Sequence, residues 1–227
     1  SPYSKKLNPE MQKLNTISGE LNIMLMELKK IIIKLFRCFK ASAEQGNAKD
    51  QNNPGDCYYY GKGVKKDYKE AFRQYKAAAE QGDADAQYKL GNCYYYGKGL
   101  KQNYKEAFRW YKAAAEQGYA KAQNNLGYCY ENGKGVKQDY NEAFRWYKAA
   151  AEQGNACGFF NIGVCYQNGE VVKQDYKEAY YWYLIAYLNG YTYAEQNIYL
   201  IENILTDQQK QEVQKRVNEW FKTHPKE

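Results

Sequence analysis

The sequence predicts an all-α chain, a solenoid of antiparallel helix pairs, and three observations predict it. A sixteen-residue block beginning at Asp139 recurs almost word for word from Asn103 and Asp67, and more loosely from Asp175, each copy 36 residues after the last. A constant period in this range marks units that bury their faces on their neighbours. Within each copy the apolar positions fall at helical spacing, as at Ala71, Tyr75, Ala78 and Ala79. Glycine then stops each helix at a fixed place, Gly82, Gly118, Gly154 and Gly190 after one helix and Gly97, Gly133 and Gly169 after the other.

Taken in order, residues 1–34 are expected to be an extension with a capping helix, Leu21 to Ile33. Leu35 to Gly46 then resembles the first helix of a repeat, called B below, with Cys38 at the phase that tryptophan takes later. The solenoid itself is expected over 35–205, and a capping helix and tail over 206–227. Pro54 lies inside the helix that follows, called A. Proline there removes a hydrogen bond and clashes, costing about 3 kcal/mol, so a kink or restart is expected.

The regular B helices open with an acid or amide, Asp67, Asn103, Asp139 and Asp175, followed three residues on by Glu70, Glu106, Glu142 and Glu178. That pairing caps the first turn and suits the helix dipole. The A helix is expected from about Ala84 to Tyr96. Its core stripe is Ala86, Leu90, Tyr94 and Gly97, with Cys93 at the margin. Gly91, Gly127 and Gly163 sit inside A helices, where glycine costs up to about 1 kcal/mol against alanine. Their repetition implies that a neighbour approaches the backbone closely there. Val171 replaces the second loop glycine, so the last loop is expected to take another path. Tyr191 to Leu205 keeps A-helix spacing, and Thr206-Asp207-Gln208-Gln209 forms a capping box for a polar final helix to about Lys222.

Two stretches carry a family resemblance. Ala86-x3-Leu90-Gly91-x2-Tyr94-x2-Gly97-x-Gly99 is followed by Asn103-Tyr104-x2-Ala107-x2-Trp110-Tyr111-x-Ala113-Ala114-x3-Gly118. Together they resemble the Sel-1-like repeat family, a tetratricopeptide-repeat-like α-solenoid, over roughly Phe36 to the C-terminus. The resemblance implies a right-handed α/α superhelix, A helices on its concave face, and a role as adaptor or scaffold in protein complexes.

Composition narrows the rest. Aromatic residues are 17% of the chain and rest on 26 tyrosines, side chains that bury a ring while the hydroxyl seeks a partner. The net charge of +7 is moderate, and the lysines interleave with glutamates, so nucleic acid is not an expected partner. No stretch reaches the roughly 20 apolar residues that span a bilayer. The nearest, Leu21 to Phe36, is interrupted by Glu27, Lys29, Lys30 and Lys34. With Ser1 first in the numbering, removal of a signal peptide stays open.

Cys57, Cys93, Cys129 and Cys165 share one repeat phase. Stacked helices about 10 Å apart cannot bring their Cα atoms within the roughly 7 Å of a disulfide. Free, buried thiols are expected, which points to a reducing compartment.

Catalytic chemistry has few candidates. His224 is the only histidine and is expected in a frayed tail. Zinc ligands a full repeat apart will not converge. Gly61-Lys62-Gly63 lacks the spacing of a phosphate loop. Glu106 and Glu116 recur as cap and solvated face. No catalytic residue, metal or cofactor is therefore expected, and an enzyme acting on cell-wall or β-lactam substrates is disfavoured.

The A helix offers a binding ridge opposite its core stripe: Tyr88, Asn92 and Tyr95, then Asn124, Tyr128 and Glu131, then Phe160, Val164 and Gln167. These phases vary from unit to unit while the core does not, and aromatic anchors dominate protein interfaces. The expected function is a non-enzymatic scaffold holding a protein or peptide along the concave face. Within that class, a toxin-neutralising immunity protein and a host-targeted bacterial factor both stay open. The competing class is a membrane-surface structural protein using Leu21 to Phe36 and the loop lysines Lys62, Lys65, Lys66, Lys98, Lys101, Lys134, Lys137 and Lys173.

Overall fold

The structure, a computed structural model, describes residues 9–44 and 48–224. Every regular element in them is an α-helix, and the chain divides into two units, Ser1–Gln81 and Gly82–Glu227. Ser1, Gly46 and residues 225–227 of the expected tail lie outside the described residues.

The first unit holds α1 (Pro9–Glu44), α2 (Ala48–Tyr60) and α3 (Tyr68–Glu80). Helix α1 is unbroken, so the expected capping segment and the B-like segment after it are one helix, and residue 34 falls in its interior. It rests on its unit through Phe36, whose ring meets Tyr58 edge-on at 5.4 Å. Ile32 lies against the backbone of Gly63, where an added Cβ would sit 2.9 Å from the Ile32 side chain. Helix α2 does not restart at Pro54. It runs through, with the Pro54 ring fully buried at the phase held elsewhere by Leu90, Leu126 and Ile162. Burying an apolar side chain is worth about 1.5–3 kcal/mol, the same size as the ~3 kcal/mol proline penalty, so packing offsets the lost bond.

The second unit runs through α4 (Ala84–Tyr96), α5 (Tyr104–Glu116), α6 (Ala120–Glu131), α7 (Tyr140–Glu152), α8 (Ala156–Asn168), α9 (Tyr176–Leu188), α10 (Ala194–Glu202) and α11 (Asp207–Thr223). Helices pair as α4 with α5, α6 with α7 and α8 with α9, and each pair packs on the next through α5 with α6 and α7 with α8. Both α10 and α11 close on α9.

Side chains set the ends of these helices. Asn103 Oδ1 accepts from the Lys105 and Glu106 amides at 3.1 and 3.2 Å, Asp67 and Asp175 do the same for their helices, and Asp139 accepts from the Glu142 amide at 3.1 Å. The backbone amide of the same cap residue donates to the last turn of the preceding A helix, Asn103 to Tyr94 O at 2.9 Å and Asp139 to Tyr130 O at 2.9 Å. One residue thus starts a helix and closes a loop, which fixes the spacing between them. Asp175 closes on Tyr166 O at 2.9 Å in the same way, so the loop containing Val171 rejoins the common path at its end.

The core is built from B-helix tyrosines and alanines set against A-helix glycines. Tyr111, Tyr147 and Tyr183 are fully buried. A Cβ on Gly127 would stand 2.6 Å from a ring carbon of Tyr147, and Gly91 and Gly163 face Tyr111 and Tyr183 equally closely. The close approach implied by those glycines is therefore a tyrosine ring seated on the helix backbone. On the A helix the stripe is rotated slightly from expectation: Ala86, Leu90 and Cys93 are completely buried, whereas Tyr94 is half-buried. The glycine lets the ring sit low, which draws Cys93 inward and leaves Tyr94 at the edge.

Cys57, Cys93, Cys129 and Cys165 are free and buried. Burial pushes the thiols of Cys93, Cys129 and Cys165 up to about 12, far from a reactive thiolate. At the C-terminal end α10 is shorter than the expected 191–205, because Tyr191 to Tyr193 form its approach. Helix α11 carries the full capping box between Thr206 and Gln209 and buries Val213 and Val217. Its Arg216 pairs with Glu178 of α9 at 2.5 Å. His224 is not frayed: it ends α11 with its ring stacked on Trp220 at 4.4 Å and 4°.

Candidate functional site

The nine ridge residues sort by what their neighbours demand. At one phase of the B helix, Tyr75, Tyr111, Tyr147 and Tyr183 point their hydroxyls at the preceding A helix, and a buried hydroxyl without a partner costs roughly 1–3 kcal/mol. Tyr75 donates to Asp56 at 2.7 Å, and Tyr111 donates to Asn92 at 2.7 Å. At the next two copies of that phase stand Tyr128 and Val164, which cannot replace the Asx oxygen there. The acceptor moves one turn along the helix: Tyr147 donates to Glu131 at 3.0 Å and Tyr183 to Gln167 at 2.6 Å. The variation along the ridge is thus partly a compensated exchange, with either the first or the second of two phases accepting the hydroxyl.

Asn92, Glu131 and Gln167 are therefore tied to the core. Tyr88 is half-buried, its ring 6.1 Å from Tyr111 and 5.4 Å from Tyr119. Phe160 packs on Tyr183 and Tyr191 at 5.2 and 4.8 Å, and Val164 joins the same cluster. Asn124 accepts from Asn161 at 2.9 Å across successive A helices. These six residues and Asn124 join the layers of the repeat.

Tyr95 and Tyr128 remain, and with them a residue the ridge prediction passed over. Tyr95, Tyr96, Tyr111, Asn124, Asn125 and Tyr128 line a cavity of about 380 Å³ between α4 and α6. Tyr95 and Tyr128 meet edge-on at 6.3 Å, and Tyr95 and Tyr96 at 4.9 Å. Burial raises the Tyr95 phenol above its ordinary value, helped by its hydrogen bond with Tyr128, so the phenol stays neutral. The outer wall is open: Tyr96 is 61% exposed and Tyr128 41%. The signal for Tyr96 was its phase, since Tyr60 and Tyr96 share it while the third copy is Asn132.

A second cavity, about 480 Å³, opens where α7, α8 and α9 meet α11. Phe159 is its floor, stacked on Trp182 at 5.9 Å and met edge-on by Trp220 at 5.5 Å. Lys148 and Glu152 are exposed in its lining. Phe159 holds the phase of Gln87 and Gln123, buried amides that accept from Gln117 at 2.8 Å and Gln153 at 2.7 Å in the next repeat. The polar ladder ends there and an aromatic floor takes over.

Among the described residues, no group of three His, Cys, Asp or Glu side chains is placed to hold a metal. Among the same residues, no helix is long and apolar enough to cross a membrane. Glu106 lies in the first turn of α5, 3.5 Å from Arg109, and Glu116 ends the same helix, 3.8 Å from Lys112.

Helix pairs of this kind, stacked in chain order, define an α/α solenoid. The model of the Sel1 repeat matches residues 49–83, 84–119, 120–155 and 160–191, more than half the chain. The chain belongs to the Sel1 repeat family, whose members are generally non-catalytic helical scaffolds for protein interactions. Among solved structures it is similar to a Sel1 repeat protein from Oxalobacter formigenes. Identity there is 37%, the TM-score is 0.70, and the match covers 73% of this chain and 66% of that one. It is also similar to a protective antigen with an SLR fold from uropathogenic Escherichia coli, at 40% identity and a TM-score of 0.67, over 70% of this chain and 34% of that one. An immunity protein from Pseudomonas aeruginosa shares the fold, at 22% identity and a TM-score of 0.50, over 71% of this chain and 60% of that one. The chain thus spans about two thirds of the Oxalobacter protein and one third of the antigen. No curated protein matches the sequence significantly.

Proposed function

We propose that the chain is a non-enzymatic scaffold that holds an extended protein segment against its A-helix face, anchored in the cavity between α4 and α6. The observation that carries this reading is the open wall of that cavity, where Tyr96 and Tyr128 stand exposed beside the amides of Asn124 and Asn125. Exposed tyrosines over a preformed cavity are the usual anchors of a protein interface, large in contact area and with few rotamers to fix. A volume of about 380 Å³ admits a large inserted side chain, and the neighbouring amides can bond the backbone that carries it.

The remaining ridge residues support the site from below. Asn92 orients Tyr111, the floor of the cavity, and also accepts from Asn125 at 3.4 Å. The test places a photo-crosslinking residue at position 128 of the full chain in its native lysate, with a control at Lys112 on the exposed face of α5. The expected result is a product formed from 128 and not from 112. Tyr96→Ala with Tyr128→Ala should then weaken binding of the identified partner by about 30-fold or more at an unchanged melting temperature. Binding that survives the double substitution, or that falls only together with thermal stability, sinks the reading.

A further inference from the structure

Helix α1 carries a second interface, and its spacing names the partner. Leu14, Ile17, Leu21, Met24, Leu28, Ile31 and Leu35 follow one another at alternating steps of three and four residues. That is the 3.5-residue period of a coiled coil, with leucine at every a position and isoleucine, methionine and isoleucine at d. All seven are exposed, from 48% at Leu28 to 60% at Leu14. The face that docks on the chain's own body is a different one, built from Ile32 and Phe36. At about 100° per residue the two faces are about a quarter turn apart, so docking leaves the heptad stripe free.

We propose that α1 joins copies of this chain into a parallel coiled coil. The stripe is complementary to itself, since in a parallel array each a and d layer meets its own copy. Charge selects that orientation. The g positions are Lys13, Glu20, Glu27 and Lys34, and the e positions are Ser18, Leu25 and Ile32. In a parallel array g faces e of the next heptad, so Lys13, Glu20 and Glu27 meet uncharged side chains. An antiparallel pair in the register that joins Leu14 with Ile31 and Leu21 with Met24 would set Lys13 against Lys34 and Glu20 against Glu27. The ion pair of Glu27 with Lys30 at 2.7 Å lies within one helix and does not relieve this. Leucine at a with isoleucine at d favours three or four strands over two.

The period also separates this partner from a lipid surface. A helix lying in a membrane interface needs one apolar face with a polar face opposite it. Here Ile23, Met26 and Ile33 stand exposed outside the stripe, while the lysines and glutamates are spread around the helix. Cys38 continues the heptad at the next d position and is free and exposed. In the parallel arrangement the Cys38 thiols of neighbouring chains converge.

Light scattering on the full chain at tens of micromolar should give three or four times the chain mass of 26.5 kDa. Leu21→Glu with Leu28→Glu should return it to one chain. Ile23→Glu with Met26→Glu, the same change of chemistry off the stripe, should leave the oligomer intact. Diamide, which takes up the two hydrogens as the disulfide forms, should link chains in pairs, and Cys38→Ser should abolish the link. A monomeric wild type, an oligomer that survives Leu21→Glu with Leu28→Glu, or an oligomer without the Cys38 link overturns the proposal. A wild-type monomer that floats with anionic vesicles would assign the stripe to lipid and overturn it as well.

Discussion

Helices α1 and α5 are both rich in apolar residues, yet they treat them oppositely. In α5, Ala107, Tyr111, Ala114 and Ala115 are almost completely buried, and the exposed face carries Lys105, Arg109, Lys112 and Glu116. In α1 a longer run of leucine, isoleucine and methionine stands in solvent. The residue types explain the contrast. Alanine and tyrosine at a period of 3.6 suit a neighbour that approaches closely and accepts a hydroxyl, which the same chain supplies in the preceding A helix, 16 to 20 residues upstream. Branched aliphatics at a period of 3.5 suit a supercoil that a lone helix cannot build. The period of an apolar stripe therefore tells whether its partner lies inside or outside the chain.

Alkali should break the comparison most severely, because it attacks only the repeat core. Burial raises the phenols of Tyr111, Tyr147 and Tyr183 above their ordinary value and the thiols of Cys93, Cys129 and Cys165 to about 12. The unfolded chain releases these protons near pH 8.5 to 10, while the folded chain keeps them. Their contribution is complete below that range and declines as pH rises through it. Each group removes about 1.4 kcal/mol per pH unit above its unfolded value. Circular dichroism during alkaline titration should show the repeats unfolding between about pH 10 and 12. Retained helicity at pH 12 would contradict the burial of these groups.

Next in size, Tyr147→Ala removes a fully buried ring and should cost about 3–5 kcal/mol in urea unfolding. Gly127→Ala pushes a methyl into that ring from the opposite side and should cost about 1–3 kcal/mol. A stabilising Gly127→Ala would mean that the ring sits elsewhere. Gln123→Ala breaks one rung of the amide ladder and should cost about 1 kcal/mol. Smallest of all, Leu21→Glu should change the stability of the repeats by no more than about 0.5 kcal/mol, because the Leu21 side chain is exposed.

The regular part of the fold could be read residue by residue. Asp67 and Asn103 announced helix starts because an oxygen there meets free amides whatever the tertiary setting. Gly91 announced a close contact because a destabilising residue kept at one phase needs a packing reason. The candidate ridge was less legible. A helical wheel gives the side on which Asn92 or Glu131 lies, but not whether a neighbouring hydroxyl reaches it. Pro54 misled for a related reason: propensity prices the lost hydrogen bond and is blind to the burial that offsets it. Trp220 and His224 stack only once α11 is in place, so their pairing has no repeat phase to betray it.

The shifting acceptor of the buried hydroxyl carries a consequence for how such chains diverge. Two neighbouring sites on one helix form a linked pair of alleles, Asn92 with Tyr95 in one unit and Tyr128 with Glu131 in the next. Whole units can be duplicated or shuffled freely, since each brings its own acceptor. A crossover falling between the two sites would yield hybrids with either two acceptors or none. Recombination should therefore spare that single turn, and libraries of grafted repeats will hold together best when their seams fall in the loops.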